Sequence, residues 1–159
     1  MTQTTGTRWR VEQRPWDDAA GSELRARQRD EINASYGGRD TEPGPPPSEE
    51  DVALFLVAFD PADGEAVGCG ALRWIDAATA EVKRMYVAPR ARGGGAAVAV
   101  LRALEAKAME HGRSALRLET GTEQRAAQRF YEREGFRRIP PFGHYRDSPL
   151  SICFERVLS

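Results

Sequence analysis

Cysteine, histidine and lysine are all scarce in this chain. Its 159 residues include 2 cysteines and 2 histidines, and of the 23 basic residues Lys83 and Lys107 alone are lysines. Cys69 and Cys153 each stand in an apolar, strand-like context, and no Cys/His cluster with metal-ligand spacing accompanies them, so they read as small buried hydrophobes and no metal is expected. The shortage of lysine reflects genome composition rather than function. Charge of one sign is also missing: 23 basic residues meet 24 acidic ones for a net charge of −1, with no basic face to suggest nucleic-acid binding. Long apolar runs are missing too. The longest, Val52 to Phe59, falls far below the roughly 20 residues that span a bilayer, and the polar opening "MTQTTGTRWR" has no signal-like apolar region. These absences lead us to expect a cytoplasmic protein with no membrane partner.

What is present is enough apolar sequence, 40% of residues, for a single domain over 1–159 with its own core. Residues 1–8 are expected to be a disordered tail, and 37–50 a Pro/Gly-rich loop closing on a short turn at Ser48 to Asp51. "RWRVEQRP" reads as a first strand, and Asp17 or Asp18 opens a helix after it. "VALFLVAFD" and "AVGCGALRWID" form an antiparallel hairpin, and "TAEVKRMYVAP" continues as a strand ended by Pro89. From Ala97 the apolar residues Val100, Leu101, Leu104 and Ala108 keep helical spacing up to a stop at Gly112. A strand "SALRLETG", a helix "EQRAAQRFYEREG" and strands around "FRRIP" and "LSICFERVL" follow. Strands alternating with amphipathic helices argue an α/β or α+β fold with a mixed sheet.

Gly93, Gly94 and Gly95 stand at the mouth of that second helix, where each glycine costs about 0.5–1 kcal/mol relative to alanine. A strand, a glycine-rich turn and a helix N-terminus together present unpaired N–H groups and the positive end of the helix dipole, a site for phosphate oxygens. A tight connection that merely needs unusual dihedrals is the plain alternative. Ala96 and Ala97 follow the last glycine instead of Lys and Ser/Thr, so nothing handles a transferring phosphoryl group. The run also lacks the G-x-G-x-x-G register of a dinucleotide fold. What remains is a cofactor held by a pyrophosphate.

Arg92, Gly95 and Ala97, preceded by "MYVAP", resemble the acyl-CoA-binding motif of the GNAT superfamily of N-acyltransferases: Gln or Arg, two residues, Gly, one residue, Gly or Ala. "QRAAQRFYEREGF" is similar to that family's next motif, with Tyr131 ahead of Gly135 and Phe136, and Gln124 stands where many members have Asn. The resemblance is good from about Glu65 to Phe136. It implies a mostly antiparallel mixed sheet of six to seven strands flanked by helices, whose fourth and fifth strands splay apart. It further implies acetyl-CoA as acyl donor, bound by the backbone of Met85, Tyr86 and Val87, by Arg92 to Ala97 through Gly93, Gly94, Gly95 and Ala96, and by Gln124 and Tyr131.

Acyl transfer to an amine needs a deprotonated nucleophile, a polarised thioester and a stabilised thiolate. An alternating strand puts Glu81, Lys83 and Met85 on one face. The resemblance makes Glu81 the general base, through a water; the alternative is a strand-end carboxylate, solvated or paired with Lys83 or Arg84. Glu119 is the second candidate. Tyr131 beside Phe130 reads plainly as a core aromatic, and the resemblance turns its hydroxyl toward the CoA sulfur. His111 reads as a surface residue at a helix C-terminus. Arg73, Trp74, Thr120, His144 and Tyr145 are the expected acceptor side, although the turn-rich loop holding His144 equally suits a surface. The expected activity is acetyl transfer to a primary amine of a small molecule in a ternary complex. Acetylation of a protein N-terminus or lysine, or a non-catalytic acyl-CoA-binding module, are the alternatives, and a homodimer is left open.

Overall fold

The computed structural model describes residues 8–37 and 52–158. Nearly all of the expected tail, the Pro/Gly-rich segment after Gly37 and the turn at Ser48 to Asp51 lie outside the described residues. Strand β1 (Arg10–Arg14) leads to helix α1 (Ala19–Ser35), whose N-cap Asp18 accepts from the Gly21 amide at 3.0 Å. A meander follows: β2 (Leu54–Phe59), β3 (Ala66–Trp74) and β4 (Thr79–Val87). Helix α2 (Ala96–Glu110) crosses to β5 (Ala115–Gly121), and α3 (Arg125–Arg133), β6 (Arg137–Ile139) and β7 (Ser151–Val157) complete the order. Among the described residues no helix is long and apolar enough to cross a membrane.

The seven strands form one sheet in the order β1-β2-β3-β4-β5-β7-β6, antiparallel except for β4 and β5. That parallel pair is joined through α2, as a parallel connection requires. Its pairing is short: Thr79, Ala80 and Glu81 pair with Ala115, Leu116 and Arg117, and from Val82 onward the two strands part. The splayed fourth and fifth strands are therefore a property of this chain.

Helices cover both faces. Val100, Leu101 and Leu104 of α2 pack on Leu54, Leu56, Leu72, Ala80 and Val82, and Tyr131 and Phe136 extend this core. On the other face Leu24 of α1 packs with Phe55, Val57, Cys69, Ala71 and Tyr86.

Strand β4 does not alternate along its length. Ala71 faces Lys83 and Cys69 faces Tyr86, so Gly70 opposes two residues, Arg84 and Met85. Arg84 takes φ 58°, and among the described residues it is the sole non-glycine with positive φ. A one-residue bulge reverses the facing of everything after it. Accordingly Met85 joins the α2 side and Tyr86 the α1 side, and the expectation that Glu81, Lys83 and Met85 share one face is corrected: Met85 lies opposite the other two.

Gly70 fits beneath this bulge because it has no side chain. A Cβ there would stand 2.8 Å from Met85 Sδ, 2.9 Å from Leu104 Cδ1 and 3.0 Å from Val100 Cγ1. Gly70→Ala is expected to lower stability by about 1–3 kcal/mol through overpacking between sheet and α2, measured as a lower midpoint in urea unfolding with unchanged slope.

Candidate functional site

A cleft of about 740 Å³ runs from the bulged end of β4 past the glycine turn to α3. Its wall includes Met85, Tyr86, Val87, Arg92, Gly93, Gly95, Ala96, Ala97, Gln124 and Tyr131, so ten of the eleven expected cofactor residues are brought together. Gly94 is the exception. Its carbonyl accepts from Trp9 Nε1 at 2.9 Å, and a Cβ on it would lie 3.2 Å from the Trp9 ring. The three glycines thus answer to different needs: Gly93 and Gly95 take φ 81° and 91°, while Gly94 makes room for Trp9. Unusual dihedrals, the plain reading of the turn, are found at Gly93 and Gly95.

Within the turn the Arg92 amide bonds Pro89 O at 3.2 Å and the Gly94 amide bonds Ala91 O at 3.3 Å, and the first bond of α2 runs from Ala99 N to Gly95 O. The N–H groups of Ala96, Ala97 and Val98 therefore stand at the helix mouth without an intrahelical acceptor, beside the amides of Gly93 and Gly95. Arg92 supplies the nearest cation. Its Nη2 meets Glu31 Oε1 and Oε2 at 2.9 and 3.0 Å, Tyr86 OH donates to Glu31 Oε2 at 2.9 Å, and Arg92 Nε donates to Val87 O at 2.9 Å.

A second cavity, of about 100 Å³, fills the gap where β4 and β5 part. It shares Gln28, Ile32, Met85, Gln124, Ala127 and Tyr131 with the cleft, and its own wall includes Glu81, Lys83, Glu119, Thr120, Tyr36 and Tyr145. Tyr131 stands at the junction. Its ring packs edge-on against Phe130 and Phe136, with centroids 5.1 and 5.4 Å away, so the core reading describes the ring, and the side chain also lines both cavities. Burial pushes the phenol well above the ordinary tyrosine range. It stays protonated at any working pH and is a hydrogen-bond donor.

Glu81 is placed differently from expectation. It is fully buried, Arg73 Nε and Nη2 donate to Oε1 at 3.0 and 2.8 Å, and Tyr145 OH donates to Oε2 at 2.7 Å. Lys83 Nζ donates to the same hydroxyl at 2.8 Å and lies 3.7 Å from Oε2. The paired-carboxylate alternative is what the geometry shows, with Arg73 as the main partner. Glu119 is half-buried, and Ser151 Oγ donates to its Oε2 at 2.7 Å.

Of the expected acceptor residues, Thr120 and Tyr145 line the small cavity and Arg73 reaches it through Glu81. Trp74 and His144 do not. Trp74 pairs with Ala80, at the end of β3 away from the bulge, and stacks 5.1 Å from His111. His144 is exposed, its ring 4.4 Å from Tyr145. Residues that sequence reasoning missed come mainly from α1: Gln28, Glu31, Ile32 and Tyr36. The signal was faint: Gln28 is a polar residue on the stripe Leu24, Gln28, Ile32, where spacing by four calls for apolar ones. Among the described residues no group of three His, Cys, Asp or Glu could hold a metal ion.

Residues 10–136 match the Acetyltransferase (GNAT) family. An IAA acetyltransferase of Azospirillum brasilense is 43% identical over 105 residues, 65% of this chain and 67% of that protein. A crystal structure from Klebsiella pneumoniae, described as an acyl-CoA N-acyltransferase, superposes with TM-score 0.77 at 34% identity over 95% of this chain and 98% of that one. A GNAT acetyltransferase of Elizabethkingia anophelis, solved with acetyl-CoA bound, shares the fold at TM-score 0.69 and 16% identity, over 95% and 99% of the two chains. With an open helix mouth, parted β4 and β5 strands and a family match over most of its length, the chain belongs to the GNAT family of acetyltransferases and is an acyltransferase drawing on an acyl-CoA donor.

Proposed function

We propose that the protein transfers an acetyl group from acetyl-CoA to a primary amine of a small molecule, by direct attack in a ternary complex. The observation that carries this reading is the small cavity that shares a wall with the cofactor cleft at Tyr131 and Met85. At about 100 Å³ it has room for a few heavy atoms, since a water occupies about 30 Å³. That suits the amine end of a small acceptor better than a peptide segment, and the relative named IAA acetyltransferase supports a small-molecule acceptor.

In this reading the helix mouth and Arg92 hold the pyrophosphate, and the β4 backbone around Met85 to Val87 holds the pantetheine arm. The amine adds to the thioester carbonyl and the sulfur leaves as a thiolate, which Tyr131 OH stabilises by donating a hydrogen bond. Full proton transfer from so weak an acid is uphill. The amine's proton goes to Glu119 through a water. Glu81, with both oxygens already accepting hydrogen bonds, fixes Lys83 and Tyr145 in the cavity wall instead.

Acetyl-CoA at 100 times its dissociation constant is expected to stabilise the fold by about 2.7 kcal/mol, seen as a rise in melting temperature. Gly93→Val should lose this shift, because a β-branched residue cannot hold φ 81° and would reshape the turn that lines the cleft. No shift for wild type with millimolar acetyl-CoA would remove the cofactor.

Tyr131→Phe keeps the ring and its packing. Turnover should fall about 10²- to 10⁴-fold while melting temperature and acetyl-CoA affinity hold. A parallel loss of stability would mark a purely structural residue.

The two carboxylates separate by pH. kcat/KM should rise as Glu119 ionises, and Glu119→Gln should erase that limb, leaving only the one set by the amine. Glu81→Gln should keep the limb and lose about 3 kcal/mol of stability, the low end for a broken buried pair because Arg73 remains a third exposed. The reverse pattern would return the base role to Glu81. Release of CoA with free amines but not peptides, monitored as free thiol, checks the acceptor class; release with peptides alone would favour a protein acceptor, and none at all a binding module.

A further inference from the structure

Among the described residues one buried side-chain oxygen lacks a hydrogen-bond partner: Oε1 of Gln28. The amide's orientation is fixed by chemistry. Its other end donates to Met85 O at 2.8 Å, and only the nitrogen of an amide can serve a carbonyl, so the oxygen is the end left over. A buried acceptor without a donor is destabilising. A lysine at this point of α1 would keep a donor for the Met85 carbonyl and carry no acceptor to be left over. The oxygen therefore answers to something that the chain's own bonds do not supply.

Gln28 lines both the cofactor cleft and the small cavity, beside Met85 and Tyr131. The chain supplies no donor to its oxygen, so one can come only from what enters these two spaces, water or a ligand. We propose that Gln28 Oε1 accepts an N–H of the attacking amine and is a catalytic residue contributed by α1. This rests on the amine acetyltransferase reading above.

The chemistry favours the amine over an amide of the cofactor arm. A neutral amine offers N–H donors and one lone pair, and pointing an N–H at Gln28 aims the lone pair at the thioester held along β4. As the C–N bond forms, nitrogen gains positive charge and its N–H groups become stronger donors. The bond to Oε1 thus tightens in the transition state more than in the bound amine, which is the condition for raising kcat. The C–S bond then breaks, the thiolate leaves toward Tyr131, and the amine's proton passes to Glu119 through water. Gln28 takes no proton at any stage.

Three variants separate the two ends of the amide. Gln28→Met removes donor and acceptor, Gln28→Lys keeps a donor for Met85 O without an acceptor, and Gln28→Glu keeps acceptors without the donor. Each is measured for kcat and KM with the amine that wild type acetylates best, for acetyl-CoA affinity by calorimetry, and for melting temperature. The Met and Lys variants should lose about 10- to 100-fold in kcat/KM, mostly in kcat, with acetyl-CoA affinity and fold kept, whereas the Glu variant, which loses only the bond to Met85 O, should fall less far than either. Activity restored by Lys but not by Glu would show that Gln28 serves only as a strut to Met85, and would overturn the proposal. So would weakened acetyl-CoA binding with kcat intact, which would assign the oxygen to the cofactor arm, or unchanged kinetics in Gln28→Met. If the Met variant does not fold, the contrast between Glu and Lys decides. Wild type inactive on every amine would overturn the amine reading and this proposal together, whereas wild-type turnover untouched by the variants overturns this proposal alone.

Discussion

Two neighbouring strands of one sheet part after three paired residues, and this parting organises the rest of the molecule. Backbone groups that a closed sheet would pair along β4 beyond Glu81 and along the end of β5 need other partners, since a buried unpaired amide or carbonyl is costly. The chain supplies some from α1 and leaves others facing cavities. Gln28 takes the Met85 carbonyl, and the Tyr36 hydroxyl accepts from the Glu123 amide just past β5. Separation of the strands makes the space, and the helix laid across it gives the space walls.

The bulge at Arg84 decides what faces that space. Without it, Met85 would share a face with Lys83 and Tyr86 with Val82; with it, Met85 turns to the α2 side and Tyr86 to α1. A non-glycine residue at φ 58° is strained by roughly 1–2 kcal/mol, and the surroundings hold it: Cys69 Sγ lies 3.3 Å from the Arg84 carbonyl, and both flanking registers are fixed by β3. Burial also keeps the Cys69 thiol up at about 12, so it contributes packing and a weak donor rather than a nucleophile.

Element order and the glycine turn ahead of α2 were legible in the sequence because both rest on local signals: periodicity, Pro89, Gly112, and a glycine run ahead of a helix. The register of β4 was not. Alternation in "TAEVKRMYV" gives no sign of an inserted residue, because Arg84 is neither Gly nor Asn, the residues that usually announce positive φ. Glu81 was correctly placed on its strand and pairing was one of its two readings, but Arg73 and Tyr145, which donate to it, lie 8 and 64 residues away and were not named as its partners. The same holds for Trp9, whose indole steadies a turn 85 residues further on. Tyr145 and His144 show the same limit: they are neighbours in a turn, and only the one whose side chain points inward meets the cavity.

Helix α1 draws these parts together along one face. Gln28, Glu31 and Tyr36 recur at spacings near three to five residues, and they hold in turn the β4 carbonyl at the bulge, Arg92 ahead of the glycine turn, and the amide after β5. Glu31 and Arg92 are each about half exposed, so their ion pair is the weakest of the three ties and the one that a phosphate competing for the guanidinium would loosen first. Gln28 lies one helical turn below, beside the small cavity. Both cavities are therefore bounded by the same short stretch of helix, and a shift of α1 by a fraction of a turn would reshape both at once.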